Sequence, residues 1–412
     1  MNLALYPSSE QLPLLPMSIR QDFLELQAQT SPFPIGIEVS HAEGCYIYDM
    51  AGKSYLDMIS GIAVTNVGHR HPAVVKAIKD QVDKYLHVMP YGEFIQGPQV
   101  ELARKLRSLL PDSLNTSYFV NSGTEAIEAS LKLAKRYTGR RKLVSCHKAY
   151  HGSTHGALSV SGNEKKKYAF RPLLPEVYFM RFGEIDDLRL IDENTAGVIV
   201  ESVQGDAGVR IPNKAYMLAL RARCTKVGAL LILDEIQTGF GRTGKLFAFE
   251  HFGIVPDILT IAKSMAGGMA MGAFVSSHEK MAVLKEDPIL GHITTFGGHP
   301  VCCAAALGNI QAIEEGKLVE TCEEKGVLLK SLLNHSSIVE VRRIGMMFAV
   351  EFESADLVYK IVDKCLEKGV IAFFFLSCPE SFRLAPPLTI SEEEIKVAAT
   401  AINEAIEESV NQ

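Results

Sequence analysis

The apolar run Ala229-Leu230-Leu231-Ile232-Leu233 ends on Asp234-Glu235-Ile236-Gln237-Thr238-Gly239-Phe240-Gly241-Arg242-Thr243-Gly244. A second run, Asp257-Ile258-Leu259-Thr260-Ile261-Ala262, ends on Lys263. Apolar runs of this length are typical of parallel strands that are buried on both faces. The sequence therefore predicts two buried strands, each with a charged residue at its carboxyl end.

Asp234 and Lys263 are 29 residues apart, a spacing that fits one strand, a connection and the next strand. Ligands of open α/β sheets bind outside the carboxyl ends of the strands, so the two residues are candidates for one site. The pair suits pyridoxal phosphate, since a lysine amine forms a Schiff base with its aldehyde and a carboxylate keeps its pyridine nitrogen protonated. A structural ion pair is the alternative, and the two residues alone do not exclude it.

The quoted stretch, with motifs on either side of it, resembles the class III aminotransferases of the ornithine and acetylornithine type. The further motifs are Asn121-Ser122-Gly123-Thr124-Glu125-Ala126, Ala149-Tyr150-His151-Gly152, Glu201-Ser202-Val203-Gln204-Gly205, Thr294-Thr295-Phe296-Gly297-Gly298 and Arg383-Leu384-Ala385-Pro386-Pro387-Leu388. They follow one another in the family's order over nearly the whole chain. The resemblance implies an aminotransferase that depends on pyridoxal 5'-phosphate.

Strands and helices alternate between about Gly61 and Glu314, which predicts an α/β domain with a mostly parallel sheet flanked by helices. The resemblance implies fold type I of the pyridoxal-phosphate-dependent transferases, with residues 61–316 as the large cofactor-binding domain. Residues 1–60, which contain an antiparallel meander, and residues 317–412 are expected to form a smaller α+β domain from both termini.

Several residues are candidates for holding the cofactor. Ser122-Gly123-Thr124 lies where a strand gives way to a helix, and free N–H groups at a helix start favour a phosphate, although a plain helix cap is the alternative. The resemblance implies that Tyr150 stacks on the cofactor ring and that Gln237 lies near its phenolic oxygen. It also places Glu201 and Gln204 at the rim of the site. His151 is a further candidate, although a purely structural role is its stronger interpretation.

The resemblance assigns the catalytic steps to two residues. Lys263 would bind the cofactor and then act as the base that moves a proton, and Asp234 would pair with the pyridine nitrogen. Thr295 would reach the phosphate of the neighbouring subunit, which makes the expected active unit a homodimer; an ordinary glycine-rich turn is the alternative. Arg383 would bind the α-carboxylate of glutamate or 2-oxoglutarate through two parallel hydrogen bonds.

Three positions depart from the family pattern and bear on the substrate. Ser153 stands where acetylornithine and 4-aminobutyrate members usually carry an arginine that holds a substrate carboxylate. Asp206 replaces a glutamate that can pair with Arg383, and it is one methylene shorter. Ile62 stands where ornithine members tend to carry a tyrosine. These three signals disagree, so the donor is left open.

We expect a terminal (ω) amine as the amino donor and 2-oxoglutarate as the acceptor, in a ping-pong reaction. N-acetylornithine is the first donor considered, and another ω-amino acid, a diamine or 4-aminobutyrate is the second. An aminomutase or a decarboxylase on the same scaffold is the alternative reaction. A degenerate homologue that only binds a partner is disfavoured, because Lys263, Asp234, Gln237 and Arg383 are all intact.

Charge and composition exclude some classes of partner. The 412 residues carry a net charge of −6 and a pI near 6.1, so no electrostatic footprint for nucleic acid or an anionic membrane is expected. The run Lys165-Lys166-Lys167 is interpreted as a solvated loop.

Eight cysteines without a CxxC pair predict reduced, mostly buried thiols, and His69 and His71 lack a metal partner at useful spacing. Prolines interrupt the apolar segment Leu3 to Leu15, which predicts neither a signal peptide nor a membrane span and hence a cytoplasmic protein.

Overall fold

The computed structural model describes residues 18–90 and 92–411, so the segment Leu3 to Leu15 lies outside the described residues. Strands in chain order are β1 (Val39–Glu43), β2 (Tyr46–Asp49), β3 (Ser54–Asp57), β4 (Thr116–Val120), β5 (Lys142–Cys146), β6 (Val177–Met180), β7 (Thr195–Glu201), β8 (Leu230–Asp234), β9 (Ile258–Ile261), β10 (Gly272–Ser276), β11 (Glu340–Ile344), β12 (Met347–Glu351), β13 (Val370–Ile371), β14 (Phe373–Phe374) and β15 (Ser381–Leu384). The helices are α1 (Ile19–Leu26), α2 (Ser60–Ala63), α3 (Pro72–Val82), α4 (Gly97–Leu109), α5 (Gly123–Thr138), α6 (His155–Val160), α7 (Glu164–Lys167), α8 (Lys214–Val227), α9 (His278–Ala282), α10 (Pro300–Glu315), α11 (Leu318–Leu332), α12 (Ala355–Glu367) and α13 (Glu392–Val410).

A seven-stranded sheet in the order β4-β10-β9-β8-β7-β5-β6 forms the centre of the molecule. The strands β9, β8, β7, β5 and β6 pair in parallel, whereas β10 runs antiparallel to both β9 and β4. The mostly parallel sheet predicted from the alternating elements is confirmed. Its register aligns Glu201 with Asp234, and Asp234 with Thr260, so the ends of three neighbouring strands lie side by side.

Both faces of this sheet are covered, which explains why β8 is apolar at each position before its final Asp234. In β8, Leu231 and Leu233 belong to one hydrophobic cluster, while Leu230 and Ile232 belong to another. The second cluster contains the apolar stripe of α5, and the first contains buried residues of α8 and α10. Alternate side chains of a strand point to opposite faces, so the pattern indicates one core on each side of the sheet.

Two four-stranded sheets flank the central one. The meander predicted near the N-terminus is present as β1-β2-β3, and β13 from near the C-terminus extends it by pairing in parallel with β3. The other sheet has the order β11-β12-β15-β14 and consists of C-terminal residues only. Residues from both ends of the described chain therefore share one sheet, as the fold type implies.

Two predictions about polar side chains have different outcomes. His69 bonds Asp57 with 2.9 Å between Nε2 and Oδ2, and His71 accepts from the N–H of Ala73 at the start of α3, so both serve loop hydrogen bonding as expected. The solvated loop predicted for the lysine run is wrong. Lys166 forms an ion pair with Asp206, and Lys167 is buried and donates to two backbone carbonyls.

All eight cysteines are buried and unpaired, as the spacing predicts. Within residues 18–90 and 92–411, none of the helices has the length and apolar character to cross a membrane. The same residues contain no group of three or more histidine, cysteine, aspartate or glutamate side chains that could hold a metal ion.

Candidate active site

A cavity of about 470 Å³ opens at the carboxyl ends of β7, β8 and β9. Glu201 and Asp234 are the last residues of β7 and β8, and Lys263 follows β9 after one intervening residue. The sequence-predicted residues that line this cavity are Ser122, Gly123, Thr124, Tyr150, His151, Ser153, Glu201, Asp206, Asp234, Gln237 and Lys263. The parallel register thus brings together residues that are more than 140 positions apart in the sequence.

Lys263 has an unusual backbone and a perturbed amine. Its φ of +43° lies in the left-handed region, which is rare for a residue with a side chain and recurs at functional sites. Burial lowers the pKa of its amine below the usual range, and the negative charges of Asp234 and Glu201 oppose that shift only in part. Among the described residues, no carboxylate lies within 4.0 Å of its nitrogen. The structural ion pair considered from the sequence is therefore absent, and the amine is free to react.

Asp234 is held in place through both carboxylate oxygens. Oδ1 accepts from the N–H of Ile236 at 3.0 Å, and Oδ2 lies 2.6 Å from Nδ1 of His151, in reach of an imidazole N–H. The other ring nitrogen of His151 is buried and has no hydrogen-bond partner among the described residues. His151 therefore orients the carboxylate, which is a structural role, and it also lines the cavity; its contact with the cofactor stays a prediction.

Glu201 lies beside this pair in an environment that disfavours its charge. Burial raises the pKa of its carboxyl to about 7, and the charge of Asp234 adds to the shift, while His151 opposes it. Its oxygens accept from the N–H groups of Gly205 at 3.1 Å and Tyr150 at 3.3 Å. Through these hydrogen bonds, Glu201 connects the segments around Tyr150 and Gly205 to the end of β7.

The start of α5 forms one end of the cavity. Ser122 Oγ accepts from the N–H of Glu125 at 3.3 Å, so the helix-cap interpretation of this serine is correct. The N–H groups of Gly123 and Thr124 belong to the first turn, where a helix supplies no acceptor, and both residues line the cavity. Gly152 packs against Thr124 with a φ of +128°, and a Cβ there would overlap the threonine side chain. This end of the cavity suits an anion.

Arg383 forms an ion pair with Asp206, which lines the cavity. Arg383, on β15, donates from Nη2 to Oδ1 of Asp206 at 3.0 Å, and its guanidinium lies 4.3 Å from the ring centroid of Phe375. Its Nε is buried without a partner among the described residues. Asp206 lines the cavity, and its shorter side chain still reaches the arginine. Only one of the guanidinium's donors is thereby engaged with a carboxylate.

Three predicted site residues, Ile62, Thr295 and Arg383, do not line the cavity, although Arg383 contacts the lining residue Asp206. Ile62 is half-buried in the α2 turn, while Val64 from the same segment faces the cavity instead. Thr295 is exposed, and its carbonyl oxygen lies 3.1 Å from Nε2 of His87. Gln204, which the motif also suggested for the rim, turns away and lies 3.0 Å from the carbonyl of His147.

Sequence reasoning missed most of the apolar wall. The apolar lining residues are Val64, Val203, Ile236, Ala262, Met269, Ala270 and Met271. Of these, Ile236 and Val203 lie inside recognised motifs, so their position next to Asp234 and Glu201 was available as a signal. Met269 and Met271 follow the turn after Lys263, and nothing in their composition distinguishes them from ordinary core methionines.

Comparison with known proteins agrees with this geometry. The family model for aminotransferase class III matches residues 27–406. The chain belongs to this family. An acetylornithine aminotransferase of Archaeoglobus fulgidus is 41% identical over 363 residues, covering 88% of this chain and 93% of the relative. A putrescine aminotransferase of Pectobacterium atrosepticum is 39% identical over 366 residues, covering 84% of this chain and 77% of the relative.

Solved structures of class III aminotransferases and related transaminases have the same fold. A transaminase from the marine bacterium Virgibacillus superposes with a TM-score of 0.89 at 30% identity, covering 95% of this chain and 98% of that one. The ornithine aminotransferase of Toxoplasma gondii, whose structure shows partial occupancy of pyridoxal phosphate, superposes with a TM-score of 0.87 at 28% identity, covering 95% of each chain. Fold type I, predicted from the motifs, is confirmed.

As a class III aminotransferase, the chain depends on pyridoxal 5'-phosphate, and its cavity fits that group. The unpaired amine of Lys263 suits the aldehyde, and the fixed carboxylate of Asp234 suits a protonated ring nitrogen. The first turn of α5 suits the phosphate. Gly205 leaves room for Gln237, because a Cβ at position 205 would overlap the glutamine's side-chain oxygen. The cofactor predicted from the sequence is therefore compatible with every part of the cavity.

Proposed function

We propose that this class III aminotransferase transfers the amino group of a terminal primary amine to 2-oxoglutarate in a ping-pong reaction. N-acetylornithine is the proposed first donor. The acetylornithine aminotransferase of Archaeoglobus fulgidus and a second one, of Methanopyrus kandleri at 38% identity, support this choice. Both relatives are covered over more than nine-tenths of their length, so the likeness includes the substrate end of the site.

The state of Arg383 is the observation that carries the proposal. Its guanidinium is buried, stacks on Phe375 and donates one hydrogen bond to Asp206. The remaining donors form a planar fork, which matches the two oxygens of a carboxylate. A keto acid or amino acid whose α-carboxylate binds Arg383 would bring its α-carbon towards Lys263, since the positive charge of Arg383 lies near enough to help lower the pKa of the Lys263 amine.

Lys263 is the proposed nucleophile and base. When bound, pyridoxal phosphate withdraws electrons from the substrate carbon that loses a proton. The amine of Lys263 would take that proton from the substrate carbon and deliver it to the carbon that was the aldehyde of the cofactor. Because burial lowers the pKa of this amine, more of it is unprotonated at neutral pH than of an exposed lysine, which both roles require.

Asp234 is proposed to hold a proton on the pyridine nitrogen. The N–H of Ile236 and the imidazole of His151 fix the carboxylate from two sides, so its oxygens cannot rotate away from the ring. Tyr150, 38% exposed beside the cavity, offers a flat face against which the ring can stack. Gln237 and Glu201 are proposed to contact the cofactor from the same wall.

Which amino donor binds is proposed to depend on whether the cavity wall near Ser153 offers a positive charge to a carboxylate. This residue is exposed and lines the cavity, and its hydroxyl carries no charge. A donor without a carboxylate at its far end needs no cation there. A diamine is therefore the second candidate, and the putrescine aminotransferase of Pectobacterium atrosepticum at 39% identity favours it specifically.

A set of half-reactions tests the donor. The purified holoenzyme would receive N-acetylornithine, ornithine, 4-aminobutyrate, putrescine and glutamate one at a time, while the absorbance change from the aldehyde to the amine form of the cofactor is recorded. We expect conversion by glutamate and by N-acetylornithine. Conversion by glutamate and putrescine, without N-acetylornithine, would replace the first donor by the second.

Steady-state turnover separates transamination from the other reactions of the scaffold. We expect glutamate to form only when 2-oxoglutarate is added, in an amount equal to the donor consumed. Release of carbon dioxide, or turnover of the donor without any keto acid, would contradict the proposal and identify a decarboxylase or an aminomutase. A protein without the absorbance of bound cofactor would contradict the assignment of Lys263.

A further inference from the structure

Asp206 is held by four donors, of which Arg383 supplies only one. Oδ1 accepts from Nη2 of Arg383 at 3.0 Å and from the N–H of Leu376 at 3.2 Å. Oδ2 accepts from Oγ of Ser377 at 2.7 Å and from Nζ of Lys166 at 3.2 Å. If a substrate carboxylate takes Arg383 away, three of the four donors remain. Asp206 is therefore a fixed anion, and Arg383 is the partner free to exchange.

Lys166 is the second cation of this cluster. Its side chain is 28% exposed, and its Nζ lies 5.0 Å from the ring centroid of Tyr150, on the wall of the cavity. Burial raises the pKa of Asp206, but the charges of Lys166 and Arg383 and the hydroxyl of Ser377 outweigh it, so that pKa lies below the ordinary value. The carboxylate is thus ionised at neutral pH and shared by two cations.

The sum of these charges decides how readily a substrate carboxylate binds. Lys166, Arg383 and Asp206 together carry one positive charge, which a carboxylate at Arg383 neutralises. Without Lys166, the pair of Arg383 and Asp206 has no net charge. When a substrate carboxylate then takes Arg383 as its partner, Asp206 is left without a cation and repels that carboxylate. A terminal amine entering the same end has no such requirement, since Asp206 can stay paired with Arg383.

We propose that Lys166 determines substrate specificity as the permanent counter-ion of Asp206, which frees Arg383 to bind the α-carboxylate of 2-oxoglutarate or glutamate. This inference rests on the proposed function, because it needs a dicarboxylate acceptor and a donor that presents an amine. Lys166 is a positioning residue, and it contacts substrate neither in the donor nor in the acceptor half-reaction.

The test compares Lys166→Met with Lys165→Met in the holoenzyme. Lys165 is the exposed neighbour, and within residues 18–90 and 92–411 its side chain forms no hydrogen bond or ion pair. In Lys166→Met we expect KM for 2-oxoglutarate to rise on the order of tenfold, with kcat and the KM of the amine donor nearly unchanged. Lys165→Met should match the wild type, and Lys166→Arg should restore most of the loss.

A double-mutant cycle with Asp206→Asn separates the counter-ion role from direct binding. When Asp206 is neutral, Lys166 has no anion to compensate, so we expect Lys166→Met to change KM for 2-oxoglutarate less than about twofold in that background. If the full loss persists there, Lys166 itself binds a substrate carboxylate and the proposal is wrong. An equal rise in the KM of the amine donor would contradict it as well.

Failure of this inference differs from failure of the proposed function. If the wild type does not use 2-oxoglutarate, the proposed function is wrong and the acceptor must be found first. If the wild type uses it and Lys166→Met has an unchanged KM, the proposed function stands and the counter-ion role of Lys166 is wrong. Circular dichroism and the cofactor absorbance of each variant check that the fold and the loaded cofactor are preserved.

Discussion

At the scale of single residues, the site is built from charged groups whose surroundings shift their chemistry. The amine of Lys263 and the carboxyl of Glu201 are both held in a buried setting that disfavours charge. Asp234 differs, because two hydrogen bonds fix its carboxylate. The same cavity therefore contains the amine of Lys263 with a lowered pKa, the fixed carboxylate of Asp234, and the carboxyl of Glu201, whose pKa is about 7.

Replacing Lys263 should remove both covalent attachment and proton transfer. In Lys263→Ala we expect kcat to fall by on the order of 10³-fold or more, with the cofactor still binding at the first turn of α5. Borohydride reduction of the wild type followed by digestion should place the cofactor's mass on the peptide that carries Lys263. Lys263→Arg keeps the positive charge but should be equally inactive. Retained turnover in either variant would contradict the assignment.

Glu201 should make the stability of the cofactor-free protein depend on pH. Folding raises its pKa from 4.5 to about 7, so the stability associated with it is complete below about pH 4.5 and is lost as the pH rises through about 7. Glu201→Gln cannot ionise. Relative to the wild type, its free energy of unfolding should therefore increase between those pH values by about 3 kcal/mol.

Denaturant unfolding of the cofactor-free protein at several pH values measures this difference. Changed hydrogen bonds to Tyr150 and Gly205 add an offset that does not vary with pH, so only the slope is diagnostic. Glu193→Gln, which alters an exposed glutamate in a loop, serves as the matched control and should show no comparable slope. A flat difference for Glu201→Gln would mean that folding does not raise the pKa of this carboxyl.

At the scale of elements, the sequence predicts where strands lie, but it does not predict the direction in which every strand pairs with its neighbours. Apolar runs locate β7, β8 and β9 because both faces of the sheet are buried, and the parallel register then brings Asp234 near the turn that carries Lys263. Nothing local to β10 indicates that it runs antiparallel between β9 and β4. The role of Lys166 depends on Asp206, which lies far away in the sequence, and that of Lys167 depends on the carbonyls of Ser159 and Ser161; a three-lysine run reveals neither.

The turn before α6 supports the first turn of α5, and Gly152 is required there. Gly152→Ala places a methyl group at a φ of +128° and against Thr124, so we expect weaker cofactor binding, on the order of tenfold or more, as well as lower stability. Gly139→Ala is the matched control at the other end of α5. Its φ is +67°, and its added methyl group meets nothing within 4 Å, so it carries backbone strain alone.

Spectroscopic titration of the cofactor-free variants with pyridoxal phosphate distinguishes the two effects. Both variants should lose on the order of 1 kcal/mol or more of stability from the positive φ. Only Gly152→Ala should also lose affinity for the cofactor. Equal affinities in the two variants would show that the contact between Gly152 and Thr124 does not shape the phosphate end of the cavity.

At the scale of the whole molecule, the site draws on distant parts of the chain. Arg383 lies on β15 in the C-terminal sheet, whereas Asp206 follows β7 of the central sheet, and β13 pairs with β3 from near the N-terminus. The ion pair of Arg383 and Asp206 therefore joins the C-terminal sheet to the segment that follows β7. The division near residues 60 and 316 stays a prediction, and so does the homodimer.

Thr295 provides the test of the homodimer. It is exposed, and it does not line the cavity of its own chain. We propose that its hydroxyl reaches the cofactor phosphate in the other subunit. The protein should then have twice the mass of one 45.2 kDa chain in solution, and Thr295→Ala should weaken cofactor binding without changing that mass.

Hybrid dimers decide which subunit Thr295 serves. Two tagged chains, one with Thr295→Ala and one with Lys263→Ala, would be co-expressed and the mixed dimer purified. If Thr295 acts across the interface, one of its two sites combines an intact Lys263 with an intact Thr295, so that half of the sites should bind the cofactor with wild-type affinity and turn over. If Thr295 acts within its own chain, every site of the hybrid lacks one of the two residues, and activity should stay at the level of the Thr295→Ala homodimer or below. Because both homodimers carry a defect in every site, recovered activity in the hybrid can come only from a site built by two chains.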